Sequence, residues 1–221
     1  HCFALDLSAA CSGYIYSLNT AVSLIESGQC KNVLIVSSEK LTKDVNWKDR
    51  GTAILFGDAA TASLITTRDD GKGIIGMHMQ SEPDMSIVLN GGSACPIRAD
   101  DIEAPEYKIY MEGSETFKRA VTEFSNSIDK VLESTGKQLS DVKYFVPHQA
   151  NLRIMQAVAK RIGLPMEKVS VVLNKFGNCS STSIGLALTD ALDNNKINDG
   201  DLVLLTGFGG GFTWGSTLMI W

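Results

Sequence analysis

Several apolar runs in this chain do not alternate. NVLIVSS (32–38), VKYFVP (142–147) and DLVLLTGF (201–208) carry large apolar residues at successive positions. A strand with one wet face would put them at every second position. Strands of this kind are covered on both faces, as in a sheet with helices on either side. Helical periodicity falls at 12–27, 112–135, 150–162 and 181–194. Further strand signals interleave at 3–7, 52–57, 61–67, 73–79, 168–173 and 213–221, so the pattern predicts an α/β layer protein. Residues 80–108 hold three of the five prolines and mixed charge, and read as a surface excursion between two halves, 1–79 and 109–221.

The halves echo each other. Residues 3–38 run strand, small-residue turn, helix, ESGQCKN, strand; residues 169–207 repeat that order around FGNCSSTS and NNKINDGD. Two copies of one unit would aim Cys11 and Asn178 from two helix starts toward one centre, although unrelated βαβ units share the order.

A chain of 221 residues suits one large domain or two small ones. A net charge of −5 does not indicate a general nucleic-acid or membrane-surface role. No apolar run reaches the roughly 18 residues that would span a bilayer. The five cysteines (Cys2, Cys11, Cys30, Cys95, Cys179) have neither pairing nor metal spacing, and with three histidines no metal site is expected. The odd cysteine count suits reduced thiols in a cytosolic protein.

Four places could carry chemistry. Cys11, in LSAACSGY, sits at a helix start among small residues. The dipole and backbone N–H groups there favour thiolate, and the small neighbours admit a substrate; a buried structural cysteine is the other reading. His148, in FVPHQANLR, lies at a strand's end before an amphipathic helix, where it could donate a hydrogen bond, move a proton or serve as a cap. Asn178, in NKFGNCSSTS, is an N-cap or an amide donor aimed into a site. The glycines of GFGGGFTWG (207–215) form a hairpin or bring backbone N–H groups close to a ligand. They do not fit a dinucleotide-binding fingerprint.

AACSG, DRGTAILFGDAA, VPHQANLRI, GNCSSTS and GFGGGFTWGS occur in one order. Together they closely resemble the 3-oxoacyl-[acyl-carrier-protein] synthase III family, the initiating condensing enzymes of bacterial-type fatty acid synthesis. The resemblance implies a thiolase-like fold, two related α/β halves in five layers, and a homodimer. Family members carry roughly a hundred residues before the nucleophile-bearing strand, so this chain is expected to lack much of its first half. The resemblance implies that Cys11 takes an acyl group from acyl-CoA, and that His148 and Asn178 stabilise the enolate formed as malonyl-acyl carrier protein loses CO2. The N–H groups of Cys11 and Gly210 would form an oxyanion hole. CoA would meet Arg50, Leu55, Gly113 and Asn151, and Phe56 would line the acyl pocket or pack in the core. Lys118, Arg153, Lys160 and Arg161 would dock an acidic carrier protein. No cofactor is implied, acyl-CoA being a substrate, and neither nucleic acid nor membrane is an expected partner.

Other readings remain open at this level. Relatives making a polyketide, quinolone or ester product use similar motifs. A papain-like hydrolase shares the order Cys, His, Asn, but its C-G-[SA]-C-[WY] signature is missing. A non-catalytic fragment is a further alternative.

Overall fold

The computed structural model describes residues 2–84, 87–89 and 108–221. Its elements run α1 (Gly13–Glu26), β1 (Asn32–Lys40), α2 (Arg50–Ala53), β2 (Asp58–Thr66), β3 (Gly73–Asp84), β4 (Ile87–Leu89), β5 (Ile109–Met111), α3 (Gly113–Thr135), β6 (Tyr144–Pro147), α4 (Leu152–Ile162), α5 (Leu173–Phe176), α6 (Thr182–Asp193), β7 (Leu202–Gly209) and β8 (Gly211–Ile220). Most of the expected excursion at 80–108, with Cys95, lies outside the described residues, although β3 runs on to Asp84.

The central sheet has the order β3-β8-β7-β6, with β6 and β7 parallel and the other pairs antiparallel. Every residue of β6 and β7 is buried, as their unbroken apolar runs require. Side chains alternate across β7. Leu202 and Leu204 join Phe124, Ile128 and Val158 of α3 and α4 in one core cluster. Val203 and Leu205 join Ile15, Leu18 and Ile184 of α1 and α6 in the other. Beyond α1 and α6 lies the antiparallel pair β1–β2, with Leu34 opposite Leu64. Four of the five expected layers are thus visible among the described residues.

The structure corrects several expectations. Residues 3–7 form no strand: no backbone among the described residues pairs with them, and Phe3 and Leu5 are exposed. Apolar content alone does not make a strand where no ladder is offered. Residues 52–57 begin as the end of α2, which Asp49 caps by accepting from the Gly51 N–H, and only Phe56 bridges, to Asn178. Residues 168–173 give one bridge, Phe145 to Val169, where a short turn at 166–168 and α5 take the chain away. Among the described residues nothing covers the outer face of β1 and β2, where Leu34, Val36 and Leu64 are exposed.

Candidate active site

Cys11 lies in a tight 3-10 turn, Ala10–Ser12, that runs directly into α1. Ala10 takes a left-handed φ of 45°, a conformation that costs a non-glycine residue about 1–2 kcal/mol. The turn is clamped to the β7–β8 hairpin. The hydroxyls of Ser12 and Thr213 are 2.6 Å apart, and each lies 2.8 Å from the carbonyl oxygen of Ala9. Gly209 faces the turn so closely that a Cβ there would lie 2.5 Å from the Cys11 nitrogen. No other residue fits, and Gly210 follows at the hairpin tip.

His148 follows β6 and is held by backbone and neighbour. Its N–H donates to the Thr206 carbonyl at 2.7 Å. Gln149, fully buried, donates through Nε2 to the Pro147 and Ser170 carbonyls and accepts from the Val172 N–H. The imidazole is 1% exposed, with Nδ1 2.6 Å from Ser183 Oγ. Burial depresses its pKa to about 4 against a smaller opposing pull from the Ser180 carbonyl, so the ring is neutral near pH 7.

Asn178 sits between α5 and α6. Its backbone is locked to 55–57 by Asn178 N–H to Leu55 O (2.8 Å) and Gly57 N–H to Asn178 O (3.0 Å). Its side-chain Oδ1 accepts from the Ser180 N–H at 2.9 Å. That bond fixes the amide's orientation and leaves Nδ2, a donor, free of it.

One residue touches all three. The Ser180 hydroxyl lowers the pKa of the Cys11 thiol, its N–H holds Asn178 Oδ1 at 2.9 Å, and its backbone raises the pKa of His148. Ser180 also has a left-handed φ of 47°. The expectation of a favoured thiolate is corrected. Burial pushes the Cys11 thiol up to about 11, Ser180 pulls it down by less, and Glu39 adds to the rise. Desolvation outweighs the helix start, so the sulfur rests as a thiol. Ser180, Ser183 and Gln149 were not picked out by the sequence, where a serine cluster reads as a helix start.

The other expected residues lie farther out. Leu55 is tied to the site through its carbonyl on Asn178. Arg50 is exposed at the start of α2, which packs beside β5, and exposed Gly113 opens α3 two residues beyond β5. Asn151 caps α4, its Oδ1 accepting from the Arg153 N–H at 2.8 Å. Phe56 is half-buried. Lys118 pairs with Glu115 at 2.7 Å, and Arg161 donates to Thr122 Oγ1 at 3.4 Å across the α3–α4 seam. Arg153 and Lys160 are exposed on α4. Among the described residues no group of three or more His, Cys, Asp or Glu is placed to hold a metal ion, and no helix is long and apolar enough to cross a membrane.

A papain-like arrangement would set the asparagine oxygen on the imidazole to orient it. Here that oxygen is on the Ser180 N–H, and Ser183 holds the ring.

Residues 5–83 match the family model for 3-oxoacyl-[acyl-carrier-protein (ACP)] synthase III, and residues 132–221 match the model for its C-terminal part. The beta-ketoacyl-[acyl-carrier-protein] synthase III 1 of Bacillus cereus is 43% identical over 221 residues, 100% of this chain and 67% of the relative. The synthase III of Aquifex aeolicus is 42% identical over 217 residues, 98% of this chain and 66% of the relative. Among solved structures, the beta-ketoacyl-[acyl carrier protein] synthase III of Thermus thermophilus superposes with a TM-score of 0.91 at 38% identity, covering 99% of this chain and 68% of that one. The chain therefore spans about two thirds of the length of the relatives it matches.

Proposed function

The chain belongs to the 3-oxoacyl-[acyl-carrier-protein] synthase III family and has its thiolase-type α/β fold, and from that premise we propose that the protein condenses an acyl-CoA primer with malonyl-acyl carrier protein, the initiating step of type II fatty acid synthesis. The convergence of Cys11, His148 and Asn178 on Ser180 carries this reading.

Acylation begins with Cys11 thiolate, formed by loss of the thiol proton to water, attacking the thioester carbonyl. The N–H groups of Cys11 and Gly210 receive the oxyanion. As it collapses the bond to the CoA sulfur breaks, and the departing thiolate takes up a proton. Malonyl-acyl carrier protein then binds, and its carbon–carboxylate bond breaks to release CO2. The electron pair moves onto the thioester oxygen as an enolate, which a ring N–H of His148 and Nδ2 of Asn178 hold. The enolate carbon attacks the acyl-cysteine, and Cys11 leaves as thiolate to be reprotonated. The neutral state of His148 suits a donor of this kind.

Arg50, Leu55, Gly113 and Asn151 are assigned to CoA, with Phe56 toward the acyl chain. Lys118, Arg153, Lys160 and Arg161, all on α3 and α4, are assigned to the carrier protein. The reading includes a cytoplasmic homodimer that needs no cofactor, with residues 1–79 and 109–221 belonging to the two thiolase-like halves.

The test follows the two half-reactions separately. Mass mapping after incubation with acyl-CoA should place the acyl group on Cys11 alone. His148→Ala and Asn178→Ala should each slow decarboxylation by about 10²–10³-fold, the scale of one lost oxyanion donor, while acylation survives. Acyl transfer to another cysteine, or decarboxylation indifferent to both changes, would remove the assignment.

A further inference from the structure

Ser183 has one hydroxyl proton and three polar neighbours. Its Oγ lies 2.6 Å from His148 Nδ1, 3.1 Å from the Gln149 backbone nitrogen and 2.7 Å from the Ser180 carbonyl oxygen. Both Ser183 and His148 are 1% exposed, so the cluster is settled by protein groups. The Gln149 N–H can only donate, and occupies one lone pair of Oγ. The Ser180 carbonyl already receives the Ser183 backbone N–H at 3.2 Å and keeps a partner if the hydroxyl turns away. Two patterns therefore satisfy the cluster. In one, the hydroxyl donates to Ser180 and accepts from Nδ1–H, which leaves Nε2 bare. In the other, the hydroxyl donates to Nδ1, and the single proton of the neutral ring sits on Nε2.

We propose that Ser183 is a positioning residue that donates its hydroxyl proton to His148 Nδ1 and thereby fixes His148 as an Nε2–H donor toward the substrate. This rests on the enolate role given to His148 above. The same short segment treats the second donor in the same way: the Ser180 N–H occupies Oδ1 of Asn178 and leaves Nδ2 as the free end. Residues 180 and 183 thus cover the accepting atom of each partner, and the two donating atoms remain for one substrate oxygen. With Nε2 protonated, His148 does not take the Cys11 proton, so Ser183 bears on the second half-reaction and not the first.

The ring ¹⁵N shifts of His148, assigned by their loss in His148→Ala, report the tautomer directly. The unmodified protein at neutral pH should show the Nε2–H form. Ser183→Ala should shift the population toward Nδ1–H and slow decarboxylation about tenfold, the scale of one net hydrogen bond, with Cys11 acylation unchanged. Ser183→Thr, which keeps the hydroxyl, should restore both tautomer and rate. An Nδ1–H ring in the unmodified protein overturns the proposal, and needs no variant to fold. So does a Ser183→Ala protein that keeps the Nε2–H ring. If His148→Ala leaves decarboxylation untouched, the enolate reading itself fails, whichever tautomer is seen.

Discussion

Cys11 rests as a thiol, and in the proposed reaction its ionisation would set the first half-reaction. With the thiol pushed up to about 11, only about one molecule in ten thousand is thiolate at pH 7. Alkylation of Cys11 by iodoacetamide should therefore rise about tenfold per pH unit from pH 7 toward 10. Ser180→Ala removes the hydroxyl that favours the anion, and should move that profile to higher pH; an unmoved profile would take Ser180 away from the sulfur. His148 is displaced the opposite way. Its ordinary 6.5 falls to about 4 on folding, so between these values the unfolded chain binds the extra proton. The stabilising contribution of keeping this ring neutral is complete above pH 6.5 and is lost as pH falls toward 4, by on the order of 3 kcal/mol in total. Urea unfolding between pH 4 and 7 should show that loss, and His148→Gln should flatten it. The sequence singles out Cys11, His148 and Asn178 as candidates because each stands in a short turn that runs into a helix. It hid the thiol's protonation, because dipole and desolvation oppose each other and only the packing shows which is larger. It hid Ser180 and Ser183 because their roles depend on what residues 30 to 170 positions away bring to them.

At the scale of the element, α6 is where helix preference and packing disagree. Gly185 lies in its interior, where alanine would favour the helix by about 1 kcal/mol. A Cβ at this position, however, would lie 2.6 Å from Thr61 Oγ1 and 3.1 Å from Thr61 Cβ, on β2. A branched side chain this close to its own backbone cannot swing aside, and overpacking costs about 1–3 kcal/mol. Gly185→Ala should therefore lower stability, by up to about 2 kcal/mol in denaturant unfolding; a gain would mean that α6 slides easily on β2. The long helices were readable because each keeps one buried stripe over three or more turns, as α3 does with Ala120, Phe124, Ile128 and Val131. Short apolar segments were not. FALDL and KVSVVL have strand composition, but a strand is completed by its neighbour's backbone, which lies outside the segment itself.

At the scale of the molecule, a net charge of −5 coexists with Arg153, Lys160 and Arg161 on α4, a helix that carries no acidic residue. An acidic carrier protein would be steered by that local face and not by the total. Arg153→Glu should raise the KM for malonyl-acyl carrier protein severalfold, more at low salt, and leave acylation by acyl-CoA unchanged; equal loss in both steps would make Arg153 structural. The buried strands β6 and β7 were legible from their doubly apolar runs, but the place of β8 was not, because the sequence gives no sign of which strands flank it. β8 follows every other described strand, yet it sits between β3 and β7. During synthesis the sheet must wait, with a gap one strand wide, until residues 211–220 leave the ribosome. The hairpin that faces Cys11 is completed in the same moment. A ribosome stalled before those codons would present Cys11, His148 and Asn178 already made but without the strand that closes the sheet beside them. On the proposed function, reactivity toward acyl-CoA should therefore appear abruptly once residues 211–220 have emerged and paired, and nascent chains of graded length would time it.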